Sequence, residues 1–149
     1  MGDYTLWKTL HVVGVVLMVG NVTVTGVWAG LLWRWRARLA FTDIARGILW
    51  TDLWFTFGGG TLLTIAGLMM VRVGRLDWAG TPWLRHGIEA LALSTGVWLA
   101  MLLPDQFRML RCRPDEGERF ARLFRRWTVL GWTVTAPLYW ALAWMVWKG

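Results

Sequence analysis

Four long apolar runs, about Leu6–Trp33, Ile48–Val71, Trp83–Leu103 and Trp127–Trp147, are separated by short polar connections. Each is apolar around its whole circumference, and each reaches the roughly 20 residues that a helix needs to cross the hydrocarbon core. Strands of a membrane barrel would be about 10 residues long and alternate in polarity. Backbone polar groups in lipid must be satisfied within their own segment. The pattern therefore predicts an all-α integral membrane protein, a single domain over residues 1–149 in which four transmembrane helices form an up-down-up-down bundle with sequential neighbours antiparallel.

The third span has the sharpest boundaries. Thr81 suits an N-cap, Pro82 fits the first helical position, and Pro104 is expected to stop the helix at its other end. Pro137 should kink the fourth span. Gly26 and Gly30 have the spacing of a membrane helix-packing motif, and Gly58-Gly59-Gly60 leaves a bare patch in span two for packing. Between spans three and four, Pro114 to Trp127 reads as a short amphipathic helix lying on the membrane surface, with Phe120, Leu123, Phe124 and Trp127 in a stripe and arginines opposite.

Charge adds orientation to this picture. The chain is 56% hydrophobic with a net charge of +7, a balance that invites a nucleic-acid reading. The positive residues, however, divide by side. Arg34, Arg36, Arg38 and Arg46 lie in the first connection, and Arg108, Arg111, Arg113, Arg119, Arg122, Arg125 and Arg126 in the third, whereas Lys8, Arg72, Arg75, Arg85 and Lys148 lie opposite. The positive-inside rule places both arginine-rich loops in the cytoplasm and both termini outside, in a bacterial inner membrane, with anionic lipid and not nucleic acid as the partner of the arginines. Many of the 14 Trp fall at span ends as interfacial anchors; Trp28, Trp98, Trp132 and Trp140 lie deeper, packed between helices or against a flat ligand. Acidic Asp3 and the length of the first span argue against a cleaved signal peptide. The single Cys112 lies in an arginine-rich loop as a bystander without disulfide or zinc partners.

Ionisable residues inside spans are costly and mark candidate chemistry. The candidates are His11, Asp52, His86 and Glu89. Asp52 is expected at the start of the second helix, stabilised by the helix N-terminus and nearby arginines. His11 and His86 lie at matching depth in spans that run in the same direction. Two imidazoles so placed suit the axial ligation of one haem iron. Gly14 and Gly87 would leave room for a porphyrin, Arg72 and Arg85 would pair with its propionates, and Met70 is an alternative second ligand. Glu89, three residues after His86, would orient a ring or relay a proton. The competing reading of both histidines is as hydrogen-bonded polar residues near headgroups, without a cofactor.

The order of several short motifs resembles a bacterial family of predicted four-helix integral membrane proteins of unknown function. They are Trp7-Lys8-Thr9-Leu10-His11-Val12-Val13-Gly14, Thr51 to Gly59 with Gly67, Pro82-Trp83-Leu84, Leu103-Pro104-Asp105-Gln106, and Arg126-Trp127 with Gly131. More distantly, the layout is similar to HemJ-type protoporphyrinogen oxidases and the membrane domain of CopD-type copper-resistance proteins. The HemJ likeness rests on the run Trp7 to His11 and the lysine-tipped end Val146-Trp147-Lys148, and it implies a haem link for His11. In the third helix that family's histidine aligns beside Arg85, and its following lysine has no counterpart at Gly87 or Ile88. The resemblance thus implies a haem link for His11, while these departures in the third helix put porphyrinogen oxidation in doubt.

Together these readings predict a haem b-binding inner-membrane protein with an electron-transfer or redox role near the outer face. The alternative is a cofactor-free accessory subunit packing within a larger membrane complex. Beyond the lipid bilayer, the sequence leaves a redox partner, such a complex and a homo-oligomer open as partners, and it leaves any enzymatic turnover undecided.

Overall fold

A computed structural model describes residues 2–35 and 40–147 as six α-helices: α1 Gly2–Trp35, α2 Phe41–Thr51, α3 Gly58–Gly74, α4 Pro82–Val97, α5 Leu103–Leu110 and α6 Gly117–Trp147. The π-helical stretch Asp52–Phe57 joins α2 to α3, and a second, Trp98–Leu102, joins α4 to α5. The result is four rods, Asp3–Trp35, Thr42–Gly74, Pro82–Leu110 and Gly117–Trp147, each long and apolar enough to cross a membrane. This is the expected up-down-up-down, all-α membrane architecture. At about 1.5 Å per residue the rods exceed the roughly 30 Å hydrocarbon core, so their ends project beyond it. Arg36, Arg38 and Lys148 lie outside the described residues.

Three local expectations are corrected by the rods' continuity. Pro104 does not end the third span; the chain runs through it to Leu110. A proline ring clashes with the carbonyl four residues back, and the wider π turn at Trp98–Leu102 immediately before it provides the relief. Nor do residues 117–126 form a separate surface helix, because they are the first turns of α6. Their stripe of Phe120, Phe124 and Trp127 is buried against Ala29, Ala45, Ile48, Met109 and Cys112, and these residues form the main apolar core at the arginine-rich end. Protein, not lipid, covers the stripe. Finally, Asp52 lies well inside the second rod and not at its start.

Close packing of α1 on α3 follows from small residues. A Cβ on Gly14 would lie 2.6 Å from the backbone nitrogen of Leu63, and one on Gly59 would lie 2.9 Å from that of Met18. Only glycine permits this approach. Of the Gly26/Gly30 pair, Gly26 abuts the Trp132 ring, whereas Gly30 has no neighbour within 4 Å. Elsewhere α6 packs on α4 and α1, and α2 packs on α5, while α3 and α4 scarcely touch. Near Pro137, which lies inside the continuous α6, the Ser94 hydroxyl donates to Val134 O at 2.7 Å and ties α4 to the turn preceding the proline. The large exposed side chains, among them Val16, Trp54 and Leu68, form the surface that lipid would cover.

Candidate functional site

Because α3 and α4 stand apart, a cavity of about 430 Å³ opens at the histidine end, walled by all four rods. Its lining is apolar, including Leu63, Gly67, Leu84, Gly87 and Met145, and His11 enters it from α1. His11 Nδ1 lies 2.8 Å from Leu63 O. A carbonyl only accepts, so Nδ1 is the donor, and in the neutral ring Nε2 is the nitrogen with the lone pair. Gly67 leaves the space for this ring, since a Cβ there would come 3.1 Å from Nδ1. Gly14 does not line the cavity; it lets α1 approach Leu63, whose carbonyl holds His11.

The structure does not bring His86 into this cavity. Successive helical residues are about 100° apart, and the face that α4 turns inward carries Leu84, Gly87 and Leu91. His86 instead meets α6, with ring centroids 5.2 Å from Trp140 and 5.9 Å from Trp144, and its Nδ1 lies 3.3 Å from Glu89 Oε2. Met70 is likewise absent from the lining, which on α3 includes Gly67, Leu68 and Val71. Arg72 is exposed, and Arg85 is exposed beside Glu89 at 3.7 Å. Two thioethers do line the cavity: Met18, packed against Gly60, and Met145, which fills the space beside Gly87. Among the described residues no group of three His, Cys, Asp or Glu side chains could hold a metal ion, so His11 stands as a single imidazole in an apolar chamber.

Towards the arginine-rich end lies a polar centre that the sequence reading missed. Asp52, only 4% exposed, accepts hydrogen bonds from Asn21 Nδ2 at 3.0 Å, Thr56 Oγ1 at 3.0 Å and Gln106 Nε2. Asn21 Nδ2 also donates to Thr56 Oγ1 at 2.9 Å. Trp98 Nε1 is turned towards the same carboxylate but makes no hydrogen bond of good geometry. Beside Gln106, fully buried Asp105 is clamped by Arg126, with Nε 2.7 Å from Oδ2 and Nη2 2.5 Å from Oδ1, and by Arg108 Nη1 at 2.9 Å. These residues meet only because the third rod continues through Pro104 to carry Asp105 and Gln106 inwards. Asn21, a lone amide in the middle of an apolar run, was the available signal.

An inner chamber of about 290 Å³ adjoins this centre and is lined by Asp52, Thr56, Ser94, Trp98 and Thr135 among others. Met18, Thr64 and Leu138 line both it and the outer cavity, so the two spaces share walls along the bundle. At the turn between α5 and α6, Glu116 accepts from the Arg113 backbone N–H at 2.9 Å and from Arg119 at 2.7 Å. The Arg113 N–H first, and Arg119 after it, hold the Glu116 carboxyl below its ordinary range. Burial pushes the neighbouring Cys112 thiol up, in keeping with an unreactive cysteine.

Comparison with known proteins adds a family match. A family model described as predicted integral membrane protein (DUF2269) covers residues 5–149. No curated protein and no solved structure matches the chain.

Proposed function

We propose that this chain, which belongs to the DUF2269 family of predicted integral membrane proteins, binds haem b in its outer cavity through His11 and serves electron transfer or redox chemistry there. The observation that carries this reading is the hydrogen bond from His11 Nδ1 to Leu63 O. Metal-ligating histidines commonly donate their second ring nitrogen to a carbonyl, which fixes the tautomer, orients the ring and raises the basicity of the ligating nitrogen. Here that leaves Nε2 as the donor atom at an apolar chamber, the kind of site that suits a porphyrin. His86 does not fit as the second ligand, because it faces Trp140 and Trp144. Met145 is the better candidate, since thioether sulfur is an established partner of histidine on haem iron. When bound, haem would supply one-electron chemistry. The chain's part is to seat it, exclude water with an apolar lining and supply the imidazole. The segregated arginines support an orientation with their end in the cytoplasm, which puts His11 near the outer face of a bacterial inner membrane.

The test is the visible spectrum of protein purified from haem-supplemented cells. A Soret band is expected, lost or strongly reduced by His11→Ala, altered by Met145→Leu, and retained by His86→Ala and Met70→Leu. Colourless wild-type protein would overturn haem binding and favour the accessory-subunit reading. A band that survived His11→Ala but not His86→Ala would overturn the assignment of the ligand.

A further inference from the structure

The Asp52 centre has no part in holding a ligand at His11, yet it is the most complete polar arrangement inside the spans. Counting ten residues from Thr42 at about 1.5 Å each puts Asp52 roughly 15 Å into the second rod. All its hydrogen-bonding partners are neutral: Asn21 from α1, Thr56 from its own π turn and Gln106 from α5. The charged groups on the packed elements are engaged elsewhere. Arg126 of α6 and Arg108 of α5 both bind Asp105, the α2 pair Asp43 and Arg46 is exposed, and no described cation forms an ion pair with Asp52. A permanent intramembrane anion would be expected to have a fixed counter-charge, as Asp105 has.

The partners of Asp52 suit two protonation states. Thr51, Thr61, Thr64, Thr128, Thr133 and Thr135 each donate their hydroxyl to the carbonyl four residues back, the usual habit of threonine in a helix. Thr56 differs. It donates to the Asp52 side chain four residues back. A hydroxyl both donates and accepts. With Asp52 ionised, Thr56 donates to Oδ1; with Asp52 protonated at Oδ1, the new O–H donates to Thr56 Oγ1, and the threonine hydroxyl is free to turn to its own helix carbonyl. The amide of Gln106, whose Oε1 has no partner, presents a donor or an acceptor according to which way it is turned. The carboxyl also borders the inner chamber, so the site has a space through which a proton carried by water can arrive and leave. The geometry points to Asp52 as a reversible proton-binding site facing the inner chamber, with Thr56 as the positioning residue that accommodates both states.

This inference is independent of haem, and infrared spectroscopy tests it on the apoprotein. The full chain in lipid nanodiscs is titrated, and pH-difference spectra are read in the carboxylic-acid C=O region. Apart from the bands of the exposed carboxyls, which every variant keeps, one reversible band is expected that titrates as a single proton, shifts in D₂O and is lost in Asp52→Asn, which preserves the size and polarity of the side chain. Thr56→Val should move the band to higher frequency, because the protonated carboxyl loses its acceptor. The proposal is overturned if Asp52→Asn removes no reversible carboxyl band over the pH range in which the helical circular dichroism is intact. A band that Thr56→Val leaves at the same frequency would remove Thr56 from the assignment.

Discussion

Gly14→Ala is the sharpest probe of how the bundle holds its histidine. The added methyl would sit 2.6 Å from Leu63 N and 2.8 Å from Leu63 Cα, and since both are backbone atoms no change of rotamer relieves the clash. Ordinary contact begins at 3.4 Å, so α1 and α3 must part locally by about 0.8 Å, the difference between 2.6 and 3.4 Å. The same residue holds His11 through its carbonyl at 2.8 Å, and a displacement of that size takes the bond to about 3.6 Å, outside hydrogen-bonding range. Overpacking typically costs about 1–3 kcal/mol and a lost hydrogen bond about 1 kcal/mol. Alanine also gains about 1 kcal/mol of helix propensity over glycine, and Gly20→Ala, with nothing within 4 Å of its new Cβ, supplies a control carrying that gain alone. The two variants should therefore differ by about 2–4 kcal/mol in unfolding free energy. Titration with sodium dodecyl sulfate in mixed micelles, followed by circular dichroism, measures this difference. Equal midpoints for Gly14→Ala and Gly20→Ala would refute the packing argument, and with it the claim that Leu63 is the support of His11.

Asp105→Asn should destabilise the bundle by about 1–3 kcal/mol in the same assay, less than a fully buried pair because Arg108 and Arg126 are half-exposed. Asp43→Asn, which breaks an exposed pair with Arg46, should cost about 0–0.5 kcal/mol. The Glu116 carboxyl is held below its ordinary range in the folded state, so its contribution to the α5–α6 turn is present above the unfolded pKa of about 4.3 and is lost as pH falls through the lower folded value. Hydrogen exchange at the Arg113 amide should show protection falling over that acidic window relative to intrinsic rates, with the dependence abolished in Glu116→Gln.

The four spans were legible because full-circumference apolarity has no other outcome in lipid than helices. Their ends were harder to read. Pro104 carries a strong local stop signal, but a π turn just before it absorbs the clash, and no propensity scale anticipates that accommodation. The amphipathic stripe ending at Trp127 was recognised as a stripe and assigned to lipid; periodicity shows that a face is apolar and leaves open what covers it. At the candidate site, the depth of His11 followed from its place in the span. Whether His86 faced the same space depended on azimuth, which small rotations of a rod decide. Asn21, Asp52 and Gln106 lie far apart in sequence and meet only once two π turns have set the facing of their rods, so the polar centre could not be assembled from any one span.

Those π turns have a consequence for engineering the chain. A π turn accommodates one residue more than an α turn, and one residue corresponds to about 100° of rotation about the helix axis. Deleting a single residue from Asp52–Phe57 would leave α2 and its contacts in place but swing Leu63 and Gly67 away from α1, while a deletion in Trp98–Leu102 would separate the facing of α5 from that of α4 in the same way. The second and third rods thus each behave as two helices of unequal length joined by an azimuthal coupling. Redesign at either end of these two rods must accordingly keep the residue count of each coupling, because α1 and α6 run unbroken past both and fix the azimuth that the rods have to match.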